Sequence, residues 1–425
     1  MTIASQIQDY ADGLTAAYNM VSQRGGTMPQ RKNMDNLPTA IATIPSGGVN
    51  TGIPREVNAS SVYVQPATNF TYSPPANAVA IGKNALRGAF VECSTLTGVD
   101  IDDIVGVDDY GMYQAFMDST NLTSVDTTHL SSVGEYGLYY AFSGCTGIAS
   151  LDLSALTKVK AYGMNYAFRG CTGITSVDLS GVNEVYNNSF QYAFSGCTGL
   201  LSADLSALET IPTGNSYTYA LAGVFSGCTN LTTVDVSSLK TISATYGAYQ
   251  MFYNCKALTS FDFSSLTSAS GLYALSTIFS GCSALTTADF SNLPGLSMYG
   301  MSNAFANCTS LTTVKFDNLK NVSSNSFQYA FSGCTSLTTM TFPLLSNASS
   351  SNCFSYAFQN CTSLASLYFP GFTNPSYLVA ASFSNMLVGC TGVTVHFKSD
   401  VQAKVEAMTQ YPNFGGTNTT VLFDL

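Results

Sequence analysis

The sequence predicts an α/β repeat solenoid of about twelve units, each a short strand followed by a short helix, stacked on its neighbours. Three observations predict it. A cysteine recurs at Cys145, Cys171, Cys197, Cys228, Cys255, Cys282, Cys308, Cys334, Cys361 and Cys390, at spacings of 26, 26, 31, 27, 27, 26, 26, 27 and 29 residues; Cys93 lies 52 before Cys145, with Ser119 midway. Apolar residues hold fixed offsets around each of these positions. The chain is 46% hydrophobic but only 9% charged, so it can bury a large core and must build its surface from Ser, Thr, Asn, Gln and Gly.

Residues 1–48 place Ile3, Ile7, Tyr10, Leu14, Ala17 and Val21 at spacings of 4, 3, 4, 3 and 4, the seam of an amphipathic helix. RGGTMPQRKN then breaks the helix, and Asn36 before Leu37 and Pro38 starts a second one carrying Leu37, Ile41 and Ile44. This segment either folds back as a hairpin or self-associates, as a homotrimer if the protein is a fibre. Residues 49–80, with Pro54, Pro66, Pro74 and Pro75 around SVYVQ, read as a linker with a strand or two.

The solenoid is expected over 81–398. Seven, four and three residues before each cysteine stand sets such as Met164, Ala167 and Phe168, or Phe327, Ala330 and Phe331; with the cysteine this is the 0, 3, 4, 7 spacing of one helix face. Three, six and eight residues after it come Leu200, Ala203 and Leu205, or Leu311, Val314 and Phe316, whose last two alternate with polar residues as in a strand. Further apolar positions at Leu156 and Val159, or Leu208 and Ile211, fall in an irregular crossing before the next helix. An unpaired repeat end would expose its apolar rungs, so SDVQAKVEAMTQYPNFGG and TTVLFDL, within 399–425, read as a helix-strand cap.

The LxxVxL spacing resembles the leucine-rich repeat signature, and AFRGCTGITSVDLS at 167–180 and AFSGCTSLTTMTF at 330–342 resemble its BspA-like, 26-residue bacterial surface-protein branch. IGKNALRGAFVEC at 81–93 resembles the opening unit of such arrays. The resemblance implies adhesion or surface recognition and no shared active site. The ends carry a second one: MTIASQIQ with GGTMP and LPTAIATIPSGG, and the closing VHFKSDVQAKVEAMTQYPNFGGTNTTVLFDL, are similar to segments of tail-associated proteins from phages and prophages of Gram-positive gut bacteria. That implies a receptor-binding protein attaching to a bacterial surface glycan or protein, made in the cytoplasm and released with the virion. A bacterial cell-surface adhesin or scaffold is the alternative. Residues 1–20 show no basic leader and no apolar run of a secretory signal, in keeping with the first reading.

Two outward rows are candidate binding residues. The middle polar position of the strand holds Asp126, Asp152, Asp178, Asp204, Asp235, Asp262 and Asp289, preceded by Asp100 and followed by Lys315, Thr341 and Tyr368. Like charges one strand spacing apart repel by about 0.9 kcal/mol per pair even in water, so protonation, hydrogen bonds from the flanking Ser/Thr rows or bound cations must relieve the row. It is a solvated face, a recognition surface for a basic or polyhydroxyl partner, or a string of weak calcium sites. Tyr140, Tyr166, Tyr192, Tyr329 and Tyr356 share the position five before the cysteine, either covering the core edge or contacting sugar or protein.

Other classes are disfavoured. A net charge of −10 leaves no basic footprint for nucleic acid, and no apolar stretch is long enough to insert in a membrane. A linear cysteine row without a CxxC pair cannot surround zinc, its Cβ spacing is long for disulfides, and buried free thiols are expected. Cys353, eight before the next cysteine, stands where other units place Gly or Ser. His129 and His396 are too far apart in the array to share a site, and no catalytic motif, cofactor fingerprint or metal-ligand set is present, so no enzyme activity is expected.

Overall fold

A computed structural model describes residues 70–72, 80–101, 103–213 and 218–425. The expected helices of 1–48 lie outside these residues, as does most of 49–80; within the latter, Phe70–Tyr72 is a strand paired in parallel with Leu96–Asp100. The described chain is a β-solenoid of about 13 turns, in two compact units. The first runs to Val182 and includes Tyr192–Leu200; the second comprises Asn183–Gln191 and Leu201–Leu425.

Each coil has three sides. The first is the expected strand, three residues long in most coils, with its middle residue inward. In the first unit Gly98, Val99 and Asp100 pair in parallel with Ser124, Val125 and Asp126. In the second, Ser260–Asp262, Thr287–Asp289 and Thr313–Lys315 pair successively in one register. The second side is a two-residue strand where the sequence suggested an irregular crossing: Gly106–Val107, Ser132–Val133 and Lys158–Val159 in the first unit, Thr210–Ile211, Thr241–Ile242 and Ser268–Ala269 in the second. Two residues are too few to show a period, which is why only their single inward Val or Ile was visible.

The third side differs from the expected helix: among the described residues it carries no α-helix, and one coil alone has a 3-10 turn there, at Ala380–Phe383. Residues 134–145 form a ribbon of tight turns in which amide groups alternate. Gly137, Tyr139, Ala141, Ser143 and Cys145 donate to the carbonyl three residues back, at 3.0–3.3 Å. Tyr136, Leu138, Tyr140, Phe142 and Gly144 donate instead to Ala161, Gly163, Asn165, Ala167 and Arg169 of the next coil, at 2.7–3.2 Å. Half of the backbone is thus satisfied locally, as in a turn, and half as in a sheet. Every fourth residue takes a positive φ: Tyr136, Tyr140 and Gly144 in this coil, Asn325, Tyr329 and Gly333 in another.

The burial pattern follows this period of four rather than 3.6. Buried pairs Gly137–Leu138 and Ala141–Phe142 alternate with the half-buried pair Tyr139–Tyr140 before buried Cys145, and Ser326 to Cys334 repeats the sequence of pairs. Offsets of 0, 3, 4 and 7 belong to both patterns; only the small residue at offset 8 and the left-handed positions separate them. Stacking explains the choice. Paired strands sit 4.7–4.9 Å apart, whereas packed helices need 8–10 Å. Phe116, Phe142 and Phe168 on the turn side of successive coils have ring centroids 5.1 Å apart, a separation helices could not reach.

The core is made of such columns. Phe90, Phe116, Phe142, Phe168 and Phe194 stack in the first unit at 5.1–5.5 Å. In the second, Phe225 through Phe358 form one column and Phe263 through Phe397 another, meeting edge to face, as Phe290 does with Phe305. At the C-terminal end Thr394, Val395 and His396 pair with Thr420, Val421 and Leu422, which supplies the expected closing strand. The expected helical part of the cap is not supported. It shrinks to Gln402–Glu406 after a 3-10 turn at Ser399–Val401, and helix makes up 4% of the structure.

Candidate recognition surfaces

The cysteines belong to the interior. All twelve are free and buried, and all but Cys353, which stands within a ribbon, close one. Cys145 donates from Sγ to the carbonyl of Phe116 at 3.0 Å, Cys171 to Phe142 at 3.1 Å, and Cys308 to Phe279 at 3.1 Å. The Phe142 carbonyl already accepts the Cys145 amide, so the next coil's thiol takes its second lone pair. Ser119 does the same with Oγ, 2.7 Å from the Phe90 carbonyl, which is why serine can stand in the cysteine series. Burial pushes the thiols of Cys145, Cys197, Cys282 and Cys334 up to about 12, away from the thiolate form that reacts.

The aspartate row lies on the outer face of the first side. Asp126, Asp152, Asp178, Asp235 and Asp262 are exposed, while Asp204 and Asp289 are half-buried. Within the first unit Asp100 faces Asp126 and Asp152 faces Asp178; within the second Asp204 faces Asp235 and Asp262 faces Asp289. Each of the seven carboxylates from Asp126 to Asp289 makes an Asx turn: Oδ1 accepts the backbone N–H two residues on, from Thr128, Ser154, Ser180, Ser206, Ser237, Ser264 or Ser291, at 2.7–3.1 Å. Outside this row, Asn347 on the second side and Asn374 before the turn Pro375–Tyr377 accept the amide two residues on in the same way.

These turns relieve the like-charge row. The Ser154 hydroxyl and amide hold the Asp152 carboxyl below the usual carboxylate range, and the Ser237 amide and hydroxyl do so for Asp235. At Asp289 burial works the other way but is outweighed by Lys315, 2.8 Å away, and by Ser291. Protonation is therefore not the relief at these three positions. Among the described residues no three His, Cys, Asp or Glu side chains converge on a metal position.

The tyrosines form stacked columns. Tyr140, Tyr166 and Tyr192 stack at 4.6 and 5.2 Å in the first unit, and Tyr329 and Tyr356 at 4.9 Å in the second. All five have positive φ, which costs a non-glycine residue about 1–2 kcal/mol. Neighbouring columns are as regular. Nine before the cysteine, Tyr110, Tyr136 and Tyr162 stack at 4.9 and 4.7 Å, and Tyr219, Tyr246, Tyr273 and Tyr299 at 4.5–4.7 Å. Tyr113 and Tyr139 stack at 4.9 Å, and Tyr139 meets Tyr140 edge-on at 4.8 Å, joining the columns of the first unit. The sequence reading named only the column five before the cysteine; the others carried the same spacing. It also missed the guanidinium of Arg87, 4.8 Å from the centre of the Tyr113 ring, and that of Arg169, 5.9 Å from Tyr166.

At the last coils the outward row ends in aromatic residues. Tyr368 and His396 stack at 4.3 Å, and His396 Nδ1 lies 2.9 Å from Asp424. Among the described residues no helix is long and apolar enough to cross a membrane.

A model of the BspA type leucine rich repeat region matches in six copies, over residues 80–217, 164–277, 204–330 and 301–399. The chain belongs to this family. Each BspA-type repeat here is one coil of strand, two-residue strand and turn ribbon. A leucine-rich repeat protein from Bacteroides ovatus is 20% identical over 84% of each chain, with a TM-score of 0.50, and shares the fold. A leucine rich cell surface protein from Faecalibacterium prausnitzii is 15% identical over 81% of this chain and 91% of its own, with a TM-score of 0.36. A leucine-rich repeat protein from Eubacterium ventriosum is 18% identical over 81% and 85%, with a TM-score of 0.36. No curated protein sequence matches the chain.

Proposed function

We propose that this protein is a non-enzymatic recognition protein that attaches to a glycan or protein on a bacterial surface, and that it does so as a tail-associated component of a phage or prophage. One observation carries the recognition reading. Within each unit, outward residues of equivalent coil positions form columns of one chemistry, carboxylate on the strand side and phenol on the turn side, while the interior is filled by stacked phenylalanines and buried thiols. Such a surface offers many identical contacts to an extended partner and no differentiated acid, base or nucleophile for chemistry. The tail-associated part rests on the resemblance of the two ends, and trimers joined through residues 1–48 would fit it. A leucine-rich repeat adhesin on the bacterial cell surface is the second reading, favoured by the BspA-type family to which the chain belongs.

The test is attachment of the fluorescently labelled full chain to a panel of Gram-positive gut bacteria, with sedimentation giving its oligomeric state. Saturable attachment to some strains, lost after periodate or protease treatment of the cells, is the expected result. Absence of attachment across the panel would overturn it. A trimer that becomes a monomer without residues 1–48, and antibody labelling of phage particles rather than cell walls, decide for the tail over the adhesin.

A further inference from the structure

The tyrosine face of the first unit has a chemistry of its own. Its three columns present hydroxyls at intervals of one coil, with ring centroids 4.6–5.2 Å apart. Because each ring lies face to face on the next, what reaches solvent is a comb of ring edges and hydroxyls. Among the described residues no protein group hydrogen-bonds the hydroxyls of Tyr110, Tyr113, Tyr136, Tyr139, Tyr140 or Tyr166, and each can both donate and accept. Burial raises the Tyr139 phenol to about 12, and also pushes up those of Tyr136, Tyr140 and Tyr166, so these four keep their protons at every physiological pH.

Charge narrows the partner further. Residues 80–425 contain two arginines, Arg87 and Arg169, and both lie on this face, exposed and over tyrosine rings. A guanidinium held over a ring keeps its in-plane N–H fork for a carboxylate or phosphate. Glu135 acts on Tyr136 from the same face, and the chain as a whole carries −10. A polymer with an anion at every link would meet that negative charge, and a neutral polymer would leave both arginines unused. A protein partner would look for open ring faces or pockets, and the stacked rings cover one another.

We infer that this tyrosine face binds a polysaccharide bearing widely spaced carboxylates, its sugar hydroxyls exchanging hydrogen bonds with the phenol comb and its carboxylates taken by Arg87 and Arg169. This deepens the recognition reading and rests on it. The partner runs across successive coils, so affinity grows with polymer length until the columns are spanned.

The probe is hyaluronan, which carries a carboxylate on every second sugar, titrated against the full chain beside dextran and polyphosphate of matched length. Hyaluronan should bind and the other two should not. Arg87→Gln with Arg169→Gln, both exposed, should weaken binding at least tenfold. Tyr136→Phe, Tyr139→Phe and Tyr140→Phe together keep every ring stack and remove only hydroxyls; at about fivefold per lost hydrogen bond, they should also weaken it at least tenfold. Unchanged far-ultraviolet circular dichroism and unfolding midpoints show that each variant is folded. The inference is overturned if hyaluronan does not bind, if dextran or polyphosphate binds as well, or if both variant sets bind like the parent. A chain that still attaches to bacteria but ignores hyaluronan sinks this inference and leaves the recognition reading standing. Tyrosine- and arginine-dependent hyaluronan binding without attachment to any cell does the reverse.

Discussion

Replacing Gly170 by alanine separates the turn ribbon from the helix that the sequence spacing suggests, because the two arrangements demand opposite signs. Gly170 stands one before Cys171, with φ at +73°, and its amide donates to the Ser195 carbonyl at 2.8 Å. A Cβ built there meets nothing within 4 Å, so the substitution adds no steric contact and changes only the backbone preference. In a helix, alanine would gain about 0.8–1 kcal/mol over glycine. In the left-handed region it loses about 1–2 kcal/mol. Urea unfolding of the full chain, followed by tyrosine fluorescence, should give a lower midpoint for Gly170→Ala, and Gly170→Asn should recover part of the loss because asparagine tolerates this region. Gly199→Ala is the steric reference: its Cβ would clash with the Thr172 carbonyl oxygen and force two coils apart, with a loss of about 1–3 kcal/mol or more. A raised midpoint for Gly170→Ala would refute the ribbon.

Three further outcomes follow from the same geometry. Tyr273 has φ of +55° and stacks at 4.7 and 4.5 Å on Tyr246 and Tyr299, so losing its ring costs about 1–3 kcal/mol; Tyr273→Gly should unfold at a higher urea concentration than Tyr273→Ala, since only the latter keeps the backbone strain. Cys145, Cys197, Cys282 and Cys334, buried with thiols raised to about 12, should resist iodoacetamide at pH 8 in the folded protein and react fully in denaturant; a native mass shift at any of them contradicts the column. The carboxyls of Asp152, Asp235 and Asp289 titrate lower folded than unfolded. Their contribution is therefore present above the unfolded value, about 3.9, and is lost as pH falls through the folded one. Changing all three to Asn, which can still accept the turn hydrogen bond, should flatten the acid limb of a melting-temperature profile, and an unchanged limb would show that the turns do not hold these carboxylates.

Much of this molecule can be read from the chain alone. The cysteine spacing marks the coils, the inward alternation of Val125 or Phe261 marks the first strand, and the Asp row was placed on its outer side with hydrogen bonding as one remedy for its charge. The Tyr140, Tyr166 and Tyr192 column was legible from position, whereas its joining to Tyr139 and the arrival of Arg87 and Arg169 were not, because those contacts depend on how coils overlie one another. The second strand was too short to leave a period.

The expected helix of each unit failed for a reason outside any single repeat. Met164, Ala167, Phe168 and Cys171 would line one face of a helix equally well. Once strands such as Ser132–Val133 and Lys158–Val159 pair directly, every part of the coil must advance by one strand spacing, about 4.8 Å, and helices side by side need nearly twice that. A ribbon that sends alternate amides to the next coil meets the shorter spacing and still buries the same four side chains. Local sequence determined which residues face inward, and the spacing shared by all coils decided the backbone that carries them.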